Sequence, residues 1–161
     1  MALIVETGTG AAISNSYISA ADATTYHAAR GNAGWIGTDA VKEAALLKAA
    51  TYLDGYYRAR WKGFQVLPNV QAMEWPRYNV APFMVSDVIP QRLKDAQCEL
   101  ALRALTAELA ADATGNIKRE KVDVLETEYF ANSVPKQVYT IVDQLLSDYI
   151  TPLGSGYVVR G

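Results

Sequence analysis

Residues 38–57 read TDAVKEAALLKAATYLDGYY and have the apolar spacing of an amphipathic α-helix. Apolar side chains recur three and four positions apart, which places them on one face of a helix. The predicted helix runs from Asp39 to about Tyr57, and we expect the Thr38 hydroxyl to cap its first turn. The members of the predicted apolar face are Val41, Ala45, Leu46, Ala49, Tyr52, Leu53 and Tyr56.

Three more helices are predicted by the same kinds of signal. A first helix over residues 20–30 is bounded by Ser19 and Gly31, because serine favours the N-cap position and glycine the position after the C-terminus. A third helix opens at Pro90 and continues to about residue 111. The fourth is capped by Ser133 and continues to about residue 150. These helices predict a mainly α fold, a small four-helix bundle.

Several segments lie outside the predicted helices. Residues 1–18 mix short apolar runs with turn formers, which indicates an extended arm with at most one short strand. Residues 58–88 lack periodicity and contain three prolines, which is typical of a long functional loop. Charged and apolar residues alternate within 117–130, which predicts a short β strand or hairpin. We therefore expect one helical domain over residues 1–152, followed by an interaction tail at 153–161.

Composition limits the classes of partner. The 161-residue chain has a formal net charge of −2, whereas domains built throughout to bind nucleic acid are usually strongly basic. A local basic patch remains compatible with this balance. A single cysteine cannot form an internal disulfide, which suits a reducing compartment. No apolar run approaches the roughly 20 residues that span a bilayer, so we expect no membrane partner.

No residue pattern indicates catalysis, a metal site or a cofactor, so we expect the chain not to be an enzyme. His27 is the single histidine, and neither a second histidine nor a neighbouring cysteine completes a metal site beside it. Cys98 lies in the middle of a predicted helix, among leucines and alanines. A reactive thiolate favours a helix N-terminus or a cationic neighbour instead. Both residues are expected to be structural.

Residues 56–64, YYRARWKGF, carry the strongest nucleic-acid signal in the chain. Aromatic rings stack on bases, while arginine and lysine contact phosphates. On this interpretation the residues predicted to contact DNA are Arg58, Arg60, Trp61 and Lys62. The alternative is that Tyr56, Trp61 and Phe64 belong to the core, with the cationic side chains reaching outward.

An ordered set of short motifs extends over nearly the whole chain. They are Asn15-Ser16-Tyr17, Ala21 with Tyr26, Arg30-Gly31, Tyr52-Leu53, Trp61-Lys62-Gly63, Gln71, Trp75-Pro76-Arg77, Ile117-Lys118-Arg119-Glu120-Lys121-Val122, Leu125-Glu126 and Glu128-Tyr129. Together they resemble the DnaT-like single-stranded-DNA-binding proteins of tailed phages and prophages. Proteins of that kind are similar to head–tail connector subunits, also called adaptor or head-completion proteins.

The resemblance implies a helical bundle with an extended loop or hairpin that acts as a structural subunit. It implies a homo-oligomer, a dodecameric ring beneath the phage portal protein with double-stranded DNA in its lumen. The ring would contact a head–tail stopper, tail-tube or tail-terminator protein, in the virion neck after assembly in the host cytoplasm. The alternative function is a single-stranded-DNA-binding module that uses residues 56–64.

A closed ring requires two different complementary patches on each subunit, and the segments outside the helices are available to supply them. The residues predicted for the ring or neck interface are Trp75, Arg77, Tyr78, Lys118, Arg119, Lys121, Glu126 and Glu128. The residues predicted to meet the portal or a neighbouring subunit are Leu153, Tyr157, Val158, Val159 and Arg160. The tail is short and apolar at its end, which favours docking by strand addition.

Overall fold

The computed structural model describes residues 2–80, 87–110, 120–122, 125–127 and 138–152. Its helices are α1 (Ala20–Ala29), α2 (Asp39–Tyr56), α3 (Gln91–Ala104) and α4 (Thr140–Leu146). Its strands are β1 (Phe64–Gln65), β2 (Arg77–Tyr78), β3 (Glu120–Val122) and β4 (Leu125–Thr127). The four helices and the short antiparallel strand pairs of the described residues confirm the predicted mainly α fold. Within those residues no helix is long and apolar enough to cross a membrane.

The first two helices begin at the residues predicted by their caps. The Ser19 hydroxyl accepts a hydrogen bond from the backbone N–H of Asp22 at 3.1 Å. The Thr38 hydroxyl accepts one from Val41 at 3.4 Å. Each cap satisfies a backbone donor that has no partner inside its helix. α1 ends just before Gly31, whose φ of 65° is the left-handed conformation that glycine adopts without steric cost.

The core lies where α2 packs against α3. Leu46 and Leu53 from α2 and Leu93 and Leu100 from α3 are all fully buried. Gln97 of α3 is the polar residue at the centre of this contact. Its side-chain oxygen accepts the Tyr17 backbone N–H at 2.8 Å, and its amide nitrogen donates to the Leu46 carbonyl at 2.9 Å. Gln97 therefore ties the N-terminal segment and α2 to the central helix.

Three helix boundaries and one helix face differ from the sequence predictions. α3 ends at Ala104, and turns follow it instead of a helix to residue 111. α4 begins only at Thr140, because Tyr139 has a ψ of 87°, outside the helical region, and it ends at Leu146, before the predicted end near residue 150. The predicted start at residue 133 lies outside the described residues. Val41 of the predicted α2 face is 49% exposed, so the buried face of α2 begins at Ala45.

The long loop predicted over residues 58–88 contains a small β ribbon. β1 and β2 pair antiparallel, with Phe64 opposite Tyr78. Trp61 and Trp75, which flank the ribbon, are buried, and their rings pack edge to face with centroids 5.7 Å apart. Residues 81–86 of the loop lie outside the described residues. In its described part, the loop is therefore packed against the domain through Trp61 and Trp75, while residues 67–70 are exposed.

The segment over residues 117–130 contains an antiparallel hairpin, which confirms the prediction of a strand or hairpin there. Its strands are β3 and β4, and Lys121 is the backbone partner of Glu126. Val122 is paired with Leu125 in the same register. The alternating pattern indicated this element because successive side chains of a strand point to opposite faces.

The N-terminal segment predicted as an extended arm closes on itself in the structure. Over residues 2–18 it forms one β-bridge, between Val5 and Ser16, and no helix. The buried carboxylate of Glu6 accepts four hydrogen bonds inside the turn. Their donors are the backbone N–H groups of Gly8, Gly10 and Ala11 and the hydroxyl of Ser14. Although burial raises the pKa of Glu6, these hydrogen bonds outweigh it and hold that pKa below its usual value.

Candidate functional site

Trp61, the residue predicted to stack on bases, is a core residue. Its side chain is 6% exposed. Its ring packs against Tyr57 and Trp75, with both centroid distances at 5.7 Å. A base cannot stack on a ring whose faces are already covered by neighbouring side chains. For Trp61 the structure supports the core alternative.

Arg60 and Lys62 bind the C-terminal part of the described domain. The Arg60 guanidinium lies 3.2 Å from the Asp143 carboxylate and donates to the Thr151 carbonyl at 3.1 Å. The Lys62 ammonium donates to the Asp148 carbonyl at 3.0 Å. These contacts anchor α4 and the residues after it to the end of α2, so both cations have a structural role.

Arg58 differs from the other cations of the 56–64 run. Its side chain is 77% exposed, and it has a single ion pair, 3.2 Å from the Glu74 carboxylate. The Glu74 end of this pair is only 11% exposed and also pairs with Arg77, 3.0 Å away. The Arg58 guanidinium is the exposed end, where a phosphate can reach it.

Two of the three loop residues predicted for a ring or neck interface are buried. Trp75 has no exposed surface, and Arg77 is 8% exposed. The Arg77 guanidinium donates to the carbonyls of Lys62 and Gly63, each at 2.9 Å, and thereby holds β2 against the start of β1. This corrects the surface assignment of Trp75 and Arg77. Tyr78 is 43% exposed and presents its ring to solvent.

Phe64 lies on the surface, although the core alternative for residues 56–64 counted it among the buried residues. It is 62% exposed and lies beside Tyr78, with ring centroids 5.7 Å apart and planes inclined at 38°. Arg58 lines the same shallow groove of about 420 Å³ as the two rings. We call Arg58, Phe64 and Tyr78 the ribbon face. The sequence signals for it were the aromatic and basic composition of residues 56–64, which contain Arg58 and Phe64, and the prediction of Tyr78 as an interface residue.

Gly63 is the residue that allows the ribbon to form. Its φ is 68°, and a Cβ atom added there would lie 2.1 Å from the Tyr78 carbonyl oxygen. A side chain at this position would therefore push β1 away from β2. The close approach of the two strands sets the distance between Phe64 and Tyr78.

A partly buried charge cluster adjoins the ribbon face and shares Arg58 with it. The Glu74 carboxylate bridges Arg58 and Arg77, 3.2 Å and 3.0 Å away. The backbone N–H of Glu74 donates to the Asp54 carboxylate at 3.3 Å, and the Tyr17 hydroxyl donates to the same carboxylate. Burial raises the pKa of Asp54 to about 7, against the lowering effect of these two hydrogen bonds.

The remaining residues predicted for an interface are only partly covered by the described chain. Eight of them lie outside the described residues: Lys118, Arg119, Glu128 and the tail residues Leu153, Tyr157, Val158, Val159 and Arg160. Lys121 and Glu126 lie opposite each other in the β3–β4 hairpin, where the structure describes the backbone pairing. Their interface role therefore stays a prediction.

His27 and Cys98 are both buried, and each has a structural environment. The His27 ring packs on Trp35 with centroids 4.4 Å apart and makes a hydrogen bond with the Asn32 amide at 3.0 Å. Burial lowers the pKa of His27. Burial raises the pKa of the Cys98 thiol to about 12, which disfavours the thiolate. Among the described residues, no three His, Cys, Asp or Glu side chains are grouped so as to hold a metal ion.

Comparison with known proteins places the chain in one family. A family model described as "Putative DnaT-like ssDNA binding protein" matches residues 1–161, the full length of the chain. Searches of the curated proteins and of the solved structures found no match. Because the family match covers the whole chain, the protein belongs to this DnaT-like family.

Proposed function

We propose that this protein binds single-stranded DNA at the ribbon face. The observation that carries the proposal is the exposed Phe64–Tyr78 ring pair beside the exposed cation of Arg58. Proteins that bind single strands combine aromatic rings, on which bases stack, with cations that contact the backbone. The family description agrees with this activity.

The ribbon face suits a single strand better than a duplex. Stacking on Phe64 or Tyr78 requires a base whose flat face is free, whereas the bases of a duplex are already stacked on each other. Both rings are more than one-third exposed, so a base can reach them. The proposal therefore moves the base contact from Trp61 to Phe64 and Tyr78 and keeps Arg58 as the phosphate contact.

Few residues contribute to this site, which sets the expected strength of binding. Each stacked base contributes about 1–3 kcal/mol. The net charge of −2 gives no long-range attraction for DNA. We therefore expect one subunit to bind weakly, with a shallow salt dependence that reflects few phosphate contacts.

The test is a titration of a short labelled oligo(dT), followed by fluorescence anisotropy. Phe64→Ala and Tyr78→Ala should each weaken binding by about tenfold, because each removes a stacking surface worth about 1.4 kcal/mol or more. Ile36→Ala is the matched control, since Ile36 is 71% exposed and does not line the groove. It should bind as the parent protein does.

The same titration at several salt concentrations tests the phosphate contact. Arg58→Ala should weaken binding. It should also make the fall of log affinity with log salt concentration shallower, by the amount expected for the loss of about one phosphate contact. Lys48→Ala is the control, because Lys48 is 50% exposed and has an exposed ion pair with Glu108 away from the groove. Equal binding by the parent, Phe64→Ala and Tyr78→Ala would exclude the ribbon face as the site. No binding by the parent protein at low salt would exclude the function.

The second candidate function is a subunit of a phage head–tail connector ring. It is supported by the ordered motifs and by exposed apolar side chains such as Ile13, 70% exposed, and Phe64, because a neighbour in a ring covers such surface. Imaging of portal-containing particles tests it: we expect this chain in a ring at the neck. Deletion of residues 153–161 should abolish co-assembly with the portal. Neck density without this chain would contradict the connector role.

A further inference from the structure

We propose that Asp54 takes up a proton when single-stranded DNA binds at the ribbon face, so that DNA affinity rises as the pH falls. This inference rests on the proposed function, because it concerns the same surface. Asp54 lies on α2 and lines a second groove, of about 580 Å³, together with Arg58 and Glu74. Arg58 and Glu74 also line the groove of the ribbon face, so the two grooves share these side chains.

The groups around Asp54 come from three parts of the chain. From the N-terminal segment, the Tyr17 hydroxyl donates to the carboxylate. From the loop, the Glu74 backbone N–H donates to it, while the Glu74 side chain adds a second negative charge. From the end of α2, Arg58 adds a positive charge, and Arg77 reaches the cluster through its ion pair with Glu74.

These groups leave Asp54 close to its point of titration near neutral pH. Burial is the largest influence and favours the neutral acid, and the Glu74 charge acts in the same direction. The two hydrogen bonds and the Arg58 charge favour the carboxylate. The result is a pKa of about 7 for Asp54, at which the acid and the carboxylate are comparably populated.

DNA binding weakens the effect of the Arg58 charge on the pKa of Asp54. A phosphate on Arg58 brings a negative charge that cancels the attraction between the guanidinium and the Asp54 carboxylate. The pKa of Asp54 must therefore be higher in the complex than in the free protein, and binding draws a proton from solution. By linkage, the protein binds DNA more tightly at a pH at which Asp54 is already protonated.

The experiment measures oligo(dT) affinity from about pH 8 to about pH 6, together with the proton uptake on binding. Proton uptake is obtained by calorimetry of the full chain in two buffers that differ in ionisation enthalpy. We expect binding to be tighter at the lower pH by less than about tenfold, the limit for a change of one pKa unit, because the Arg58 charge is the smallest of the influences on Asp54. We also expect a fraction of a proton to be taken up near neutral pH.

Two variants assign the proton to Asp54. Asp54→Asn is uncharged at every pH, so it should lose most of the pH dependence and most of the proton uptake. Glu108→Gln is the control, because Glu108 is an exposed carboxylate paired with Lys48 outside both grooves that Arg58 lines. It should keep the pH dependence of the parent protein.

The outcomes separate this inference from the proposed function. Parent protein that binds oligo(dT) without proton uptake overturns the coupling and leaves the DNA site in place. Unchanged uptake in a folded Asp54→Asn protein also overturns it, because the proton must then bind elsewhere. When Asp54→Asn fails to fold, absence of uptake by the parent protein still overturns the coupling, and so does uptake that is unchanged in the Arg58→Ala protein. Absence of binding at every pH overturns the proposed function itself.

Discussion

Phe64 and Tyr78 are directly opposite each other in the β1–β2 ribbon, and their rings pack 5.7 Å apart on an exposed surface. Opposed side chains of an antiparallel pair always lie on the same face of the strands. Trp61, three residues before Phe64, lies in the core instead. The ribbon therefore separates the aromatic residues of this region into a buried set and an exposed set.

Gly63→Ala should destabilise the protein. The new Cβ atom would lie 2.1 Å from the Tyr78 carbonyl oxygen, and a φ of 68° is strained for alanine. We expect a loss of more than about 1 kcal/mol in the free energy of unfolding, measured by urea denaturation. Gly55→Ala is the matched control, because its Cβ would meet no atom within 4 Å on α2. That variant should be more stable by about 0.5–1 kcal/mol, so equal effects from the two substitutions would contradict the ribbon geometry.

Trp75→Ala and Phe64→Ala should differ sharply in stability. Trp75 is fully buried, and truncation of a buried tryptophan costs about 3–5 kcal/mol. Phe64 is 62% exposed and loses chiefly its contact with Tyr78, about 0.5–1.5 kcal/mol. Thermal unfolding of both variants checks the assignment. A larger loss for Phe64→Ala would mean that Phe64 belongs to the core, as the sequence alternative proposed.

Asp54 should make the protein less stable as the pH rises. The pKa of Asp54 is about 7 in the folded protein, whereas its usual value, which applies to the unfolded chain, is 3.8. At a pH between these two pKa values, the folded protein holds a proton that the unfolded chain has lost. The contribution of Asp54 to stability therefore falls as the pH rises from about 4 to about 7, by up to roughly 1.4 kcal/mol per unit. Urea denaturation of the parent protein and of Asp54→Asn across this range measures this contribution. The variant should gain stability relative to the parent protein as the pH rises, and an identical slope in both would assign the titration to another group.

The helices were predictable because their signals are local. Ser19 and Thr38 cap the two N-termini where predicted, since a cap bonds to a backbone group only three residues away. The start of α4 was not predictable in the same way. The Tyr139 hydroxyl bonds to the Leu109 carbonyl at 3.1 Å, a contact between distant parts of the chain that helps to fix where the last helix begins.

The candidate site was predictable only in part. The run over residues 56–64, where aromatic and basic residues cluster, contains two residues of the ribbon face, Arg58 and Phe64. For Trp61 the sequence left base stacking and a core position open, and the structure places it in the core. Of the cations predicted to contact DNA, Arg58 has 77% of its side chain exposed, and its DNA contact stays a prediction.

The presence of four helices, the starts of α1 and α2, and the hairpin within 117–130 follow from residue patterns that extend over a few positions. The exposed and buried sides of the loop follow only from tertiary structure. Beyond the end of α2 there is no helical period to assign Trp61 and Phe64 to a face. Their environments depend on the pairing of β1 with β2 and on the packing of Trp75 beneath the ribbon, which join residues distant in sequence.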